Sequence, residues 1–275
     1  MRLDAHQHFW QYDAGRDTWI DKSMVVLKRN FLPDELEKEL KNSGIDGCIV
    51  VQADQSEEET DYLLELASQN QFIKGVVGWV DLQADNIKDR LAHYVQNKKL
   101  KGVRHILQAE TPDFMLGDNF TRGIKALSAF NLTYDILILP KHLGAVLELV
   151  HRFPRQRFVL DHLAKPEIKD QIFSPWKEEL MMLAEMPNVY CKVSGLTTEA
   201  DWHRWKPQDV HSYLDIAFEA FGTDRLMYGS DWPVCLLAGG YTTAYELLSN
   251  YMQSFAEEDK EKVFGLNAQK FYNLE

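Results

Sequence analysis

Leu3-Asp4-Ala5-His6-Gln7-His8 is the stretch on which the fold turns. Its alternating apolar and polar side chains have the two-residue period of a β-strand. Seven more β-rich runs follow, at 47–53, 75–82, 102–107, 132–139, 157–163, 189–195 and 225–231. Between them lie segments with helical spacing. Ser56 and Glu59 have the spacing of a capping box ahead of Tyr62, Leu63, Leu66 and Ala67. Asp118 is read as the cap of a helix carrying Phe120, Ile124 and Leu127, and Ser174-Pro175 as a cap followed by a first-turn proline. Pro207 opens the segment with Val210, Tyr213, Leu214 and Ala217.

Strands that alternate with helices make a parallel sheet, because parallel neighbours need crossover connections. Eight such units predict a closed (β/α)8 TIM barrel, an α/β fold spanning residues 1–275 as one domain. The alternative is a doubly wound open sheet. Against it, no G-x-G-x-x-G or G-x-x-x-x-G-K-[ST] follows any strand. The long segment Tyr12–Phe31, with Trp19, is a candidate lid over one barrel mouth. The tail from Glu257 reads as one or two closing helices.

Composition narrows the function classes. The 275 residues are 45% hydrophobic and 26% charged, which suits a well-cored chain. A formal charge of -12, from 30 basic and 42 acidic residues, disfavours nucleic acid and anionic membranes as partners. No apolar run approaches the roughly 20 residues of a membrane helix. No basic-then-apolar leader precedes Arg2, so a cytoplasmic location is expected. Cys48, Cys191 and Cys235 are odd in number and far apart, which fits apolar fillers in a reducing compartment. Homo-oligomerisation is left open.

The chemistry gathers at strand ends. In a regular first strand His6 and His8 share a face with Asp4, while Leu3 and Ala5 point the other way. His162 closes the sixth run and Asp231 the eighth. A barrel brings the C-terminal strand ends together, and barrel enzymes work there. Three imidazoles and a carboxylate make a ligand set for one divalent metal such as zinc. The same groups also suit metal-free chemistry, with Asp231 taking a proton from water and the imidazoles holding a carbonyl oxygen. Against both stands the plain reading, in which the imidazoles only satisfy loop backbone.

Six stretches carry a family resemblance: LDAHQHFW (3–10), VVGWVDL (76–82), GVRH (102–105), LDHLAKP (160–166), CKVSGLTTEADW (191–202) and MYGSDWPV (227–234). Together they resemble the amidohydrolase superfamily, in the branch called amidohydrolase 2. The combination is similar to lactonases that open L-fucono-, L-rhamnono- and related aldonolactones. The resemblance implies Asp231 as general base, His6 and His8 as the first-strand pair and His162 as the later histidine. No secure equivalent of the lysine or glutamate that bridges a second metal is seen, so one metal or none is expected.

Other residues are candidates for substrate binding, each with a structural alternative. Arg104 at a strand end can grip a carbonyl or carboxylate, or pair with a loop acid. His105 lies on the opposite face of a regular strand, so one of the two is structural. Lys192 points inward, which is costly without a partner. Gln52 can bind a sugar hydroxyl or satisfy the core. Trp10, Trp79, Trp202 and Trp232 can stack on a sugar ring or simply pack. Among rival carboxylates, Asp161 should face away from the mouth, Asp4 should orient an imidazole from below, and Asp81 and Asp135 stay open.

The expected activity is hydrolysis of a sugar lactone to the free acid. The alternatives are a metal-dependent decarboxylase of the same superfamily and a barrel that binds a sugar acid without turnover.

Overall fold

The computed structural model describes residues 1–274. Eight strands pair in chain order: β1 (Leu3–Gln7), β2 (Gly47–Val51), β3 (Ile73–Gly78), β4 (Leu100–His105), β5 (Thr133–Ile136), β6 (Phe158–Leu160), β7 (Val189–Val193) and β8 (Leu226–Tyr228). All seven ladders are parallel. Each strand is followed by a helix: α1 (Pro33–Asn42), α2 (Glu57–Gln69), α3 (Ile87–Tyr94), α4 (Asp118–Ala129), α5 (Leu143–Arg152), α6 (Trp176–Ala184), α7 (Pro207–Phe221) and α8 (Tyr241–Tyr251). This is the (β/α)8 barrel. Two short helices, α9 (Glu257–Glu261) and α10 (Asn267–Phe271), flank a π-turn at the end. The last residue of the expected domain, Glu275, lies outside the described residues.

The barrel closes through a thin seam. After β8 the chain runs back against β1 by one isolated bridge, Gln7 to Trp232. His8 N–H donates to the Trp232 carbonyl at 2.7 Å, and Asp231 N–H to the His6 carbonyl at 2.9 Å.

Two apolar layers hold the strands. The outer layer, between sheet and helices, includes Cys48, Val50, Val76, Val103, Tyr134 and Tyr228. The inner layer fills the barrel with Leu3, Ala5, Ile49, Val51, Val77, Val159 and Met227, and α10 plugs one end with Phe271. Leu3 and Ala5 therefore point into the barrel, contrary to the sequence reading. The reason is a break in register in β1, where Asp4 pairs with Cys48 but Gln7 with Val50. Three steps on one strand match two on its neighbour, as in a bulge, and the spare residue puts Ala5 and His6 both inward. Asp4 is left among the outer layer. It accepts from Ser230 N–H, from Ser230 Oγ–H and from His6 N–H, so it braces the backbone and touches no imidazole.

Caps differ from expectation in detail. Ser56 accepts from Glu59 N–H, but the Glu59 carboxylate turns to the N–H groups of Ala53 and Asp54, so only half of the capping box forms. Asp118 is the first residue of α4 and Gly117 the cap, and α6 starts at Trp176 with no side-chain cap. Tyr12–Phe31 forms a loop pinned at its base by Trp10 and Phe31, whose backbones exchange two hydrogen bonds. No helix is long and apolar enough to cross a membrane among the described residues.

Candidate active site

His6, His8, His162 and Asp231 meet at the C-terminal end of the strands. Asp231 Oδ1 lies 3.5 Å from His8 Nε2 and 3.9 Å from Nε2 of both His6 and His162. The Nε2 atoms of His6 and His8 are 3.2 Å apart. His8 is turned by its other nitrogen, Nδ1, which lies 2.7 Å from the Val51 carbonyl. His162 is turned by Ser194 Oγ, 2.8 Å from its Nδ1.

The backbone at His162 explains a misread carboxylate. Strand alternation puts Val159 and Asp161 inward, and His162 should then face out. The chain instead runs left-handed through His162, Leu163, Ala164 and Lys165, with φ of 53°, 52°, 60° and 52°. That turn swings His162 back over the barrel while Asp161 stays inside. The expectation that Asp161 faces away is thus overturned. Asp161 is fully buried, with Oδ1 3.3 Å from His6 Nδ1 and 3.0 Å from Lys192 Nζ, and Oδ2 3.0 Å from Arg104.

Lys192 and Arg104 sit within the barrel beneath the imidazoles. The Lys192 ammonium also pairs with Asp135 at 2.5 Å, and Tyr272 Oη–H donates to the same carboxylate at 2.7 Å. Arg104 donates to Asp161 and to the Gln52 carbonyl, and its NH1 lies 3.4 Å from His6 Nε2. Two cations face two carboxylates, so each buried charge has a partner. Arg104 also reaches the floor of the cup above.

Electrostatics leave the imidazoles ready to bind or donate. Burial pushes His6 well below the ordinary imidazole range, against the pull of Asp161. Burial also lowers His162 to about 4, despite Asp231 and Asp161. Burial would raise Asp231, but His162 and the neighbouring His8 and His6 imidazoles outweigh it and hold the carboxyl well below its usual range. Near neutral pH this gives ionised Asp231 beside uncharged His6 and His162, the forms that ligate metals.

These residues fit one divalent ion. Two nitrogens bound at about 2.0–2.1 Å with tetrahedral angles lie about 3.3 Å apart, close to the His6–His8 spacing of 3.2 Å. His6, His8 and Asp231 form one candidate ligand group, and His162 adds to the set through its approach to Asp231. A second candidate group, His6, Asp161 and His162, shares its Asp161 with Lys192 and Arg104.

Above this floor opens a cup of about 610 Å³, lined by His8, Arg104, His162 and Asp231 and walled by Trp10, Trp19 and Trp202, among others. The other expected substrate residues lie elsewhere. His105 stacks on Phe114 outside the barrel, and Trp79 Nε1 donates to His105 Nδ1 at 3.3 Å. Trp232 packs edge-on against Phe9 and Phe31. Gln52 is buried and donates to the Arg104 carbonyl. Regular alternation already separated His105 from Arg104. The tryptophans carried no directional signal in the sequence.

The sequence reading assigned no role to Lys165, Glu199, Gln108 or Gln55, which also line the cup. Lys165 and Glu199 stood inside the quoted motifs. For Lys165 the available signal was a charge three positions beyond His162, and for Glu199 only its place in the loop after a site strand.

The family model described as amidohydrolase matches residues 3–274. An L-fucono-1,5-lactonase of Burkholderia multivorans is 39% identical over 286 residues, covering 100% of this chain and 96% of its own. An L-fucono-1,5-lactonase of Burkholderia ambifaria is 38% identical, with the same two coverages. The crystal structure of an amidohydrolase from Burkholderia multivorans with bound zinc superposes with a TM-score of 0.97, at 39% identity and with 100% of both chains covered.

Proposed function

This chain belongs to the amidohydrolase family, and on that premise we propose that it hydrolyses the ring ester of a sugar lactone of the L-fucono-1,5-lactone kind. The full-length relatives of that name support the substrate class. The observation that carries the reading is the approach of one Asp231 oxygen to three imidazole Nε2 atoms on the floor of an aromatic-walled cup.

Asp231, ionised and uncovered toward the cup, accepts the proton of a water and aims its oxygen at the ring carbonyl. A carboxylate held this low is a weak base, so much of its work is to orient that water. The Arg104 guanidinium and an imidazole N–H stabilise the charge that develops on the carbonyl oxygen. The protonated aspartate then returns its proton to the departing ring oxygen, and the product is the open hydroxy acid. His6, His8, His162 and Asp231 would hold a divalent ion, which when bound supplies Lewis-acid polarisation of the carbonyl. The tryptophans offer flat apolar faces to the less polar side of a pyranose ring.

A panel of aldonolactones followed with a pH indicator, on metal-stripped and zinc-loaded protein, tests this. Opening of L-fucono-1,5-lactone is expected, and Asp231→Asn should lower kcat about a thousandfold while the far-ultraviolet dichroism is retained. No opening of any lactone in either metal state, or release of carbon dioxide from an unsaturated acid instead, would overturn the reading.

A further inference from the structure

We propose that the Lys165–Glu199 ion pair, on the loops after β6 and β7, reads neighbouring hydroxyl groups of the substrate remote from its carbonyl. This rests on the lactonase reading above and makes it more specific.

The two side chains meet at 3.1 Å, each 23% exposed, on the wall of the cup. They belong to neither the buried network nor the outer surface. A hydroxyl both donates and accepts, so two vicinal hydroxyls ask for a donor and an acceptor side by side. An ammonium next to a carboxylate supplies that pair, and hydrogen bonds to charged groups are the stronger kind. No other oppositely charged pair lines this wall of the cup above the floor, where Ile106, Ala109 and Leu137 give apolar surface on the β4 and β5 side. That apolar surface can take a ring methyl or methylene, and Gln55 and Gln108, which also line the cup, offer a hydroxyl only uncharged amide partners.

The pair is also held in place. Lys165 ends the run of four left-handed residues that begins at His162. Each such residue without glycine costs about 1–2 kcal/mol, and strain of this sort persists where the fold needs a side chain in one position. The run that brings His162 over the floor thus also sets Lys165 above it. On the other loop, the Glu199 carbonyl accepts from Lys169 N–H at 3.0 Å, which ties the β7 loop to the β6 loop. Trp202 Nε1 donates to the Thr198 carbonyl at 2.8 Å, so the indole beside Glu199 is fixed as a stacking surface. A preorganised pair loses little entropy on binding.

The test compares L-fucono-1,5-lactone with δ-valerolactone, a six-membered lactone without hydroxyls. In Lys165→Met and in Glu199→Gln, the ratio of kcat/KM for the sugar lactone to that for δ-valerolactone should fall about 30-fold, mainly through KM for the sugar. An unchanged ratio in both variants overturns the assignment. If the unaltered protein opens neither lactone, the lactonase reading fails, and the pair is judged by thermal shift with L-fuconate. A shift present in the unaltered protein and lost in both variants supports the pair, and its absence from the unaltered protein or persistence in the variants overturns it.

Discussion

His8 presents Nδ1 to the carbonyl oxygen of Val51 at 2.7 Å, and because a carbonyl only accepts, Nδ1 carries the hydrogen. Nε2 is thereby turned to Asp231 and to His6. A neighbouring strand has chosen which nitrogen of His8 serves the floor of the cup, and Ser194 Oγ, which can donate or accept, turns the His162 ring so that its Nε2 faces that floor.

Zinc added to metal-stripped protein should therefore bind at one equivalent in a calorimetric titration. Ser194→Ala removes the hydroxyl 2.8 Å from His162 Nδ1, and should weaken that binding about tenfold. Two equivalents, or equal affinity in the variant, would count against a single ligand set oriented from behind.

Lys192→Met should be severely destabilising. The fully buried ammonium lies between Asp135 and Asp161, and its removal strands carboxylates that water cannot reach. Breaking one partner out of a buried ionic network costs about 3–5 kcal/mol. Urea denaturation should show the loss as a lower midpoint.

Gly195 has φ of +65°, and a Cβ built there would lie 2.6 Å from His162 Nδ1. Gly195→Ala must displace the imidazole from its place beside Asp231 as well as strain its own backbone. A shift near 1 Å in a catalytic group can cost about a hundredfold. The expectation is a kcat loss of that order with a stability loss of about 1–2 kcal/mol, read from steady-state kinetics and chemical denaturation.

Glu59 gives the fold a pH dependence away from the cup. Burial raises its carboxyl from 4.5 to about 7, against the N–H groups of Ala53 and Asp54. The folded state then holds a proton that the unfolded chain has released. Its stabilising share is complete below the unfolded value and is lost as pH rises through about 7. The loss is roughly 1–3 kcal/mol between pH 5 and 8. Glu59→Gln should be less stable than the parent at pH 5, having lost an acceptor, but should show a flatter profile across this range. Equal slopes in the two proteins would remove Glu59 as the source.

The barrel and the meeting of its strand ends at one mouth were legible from periodicity: strands recur at helix-long intervals, and their ends must converge. Legibility stopped where periodicity breaks. One spare residue in β1 exchanged the faces of Asp4 and Ala5, and one left-handed turn put Asp161 and His162 on the same side. Neither the spare residue nor the left-handed run contains a glycine or proline to announce it, although Pro166 follows the run directly. Trp79 and Trp232 show a different limit, since an indole satisfies the same pattern whether it meets ligand or core, and both met protein.

The seam between β8 and β1 has a consequence for how the protein fails. Seven ladders knit the sheet, whereas one isolated bridge and the Asp231–His6 and His8–Trp232 backbone contacts join its two edges. Asp231 stands on one lip of that gap, and His6 and His8 stand on the other. Activity should therefore be lost in mild denaturant before helical ellipticity falls, and coincident loss of the two would count against a weak seam.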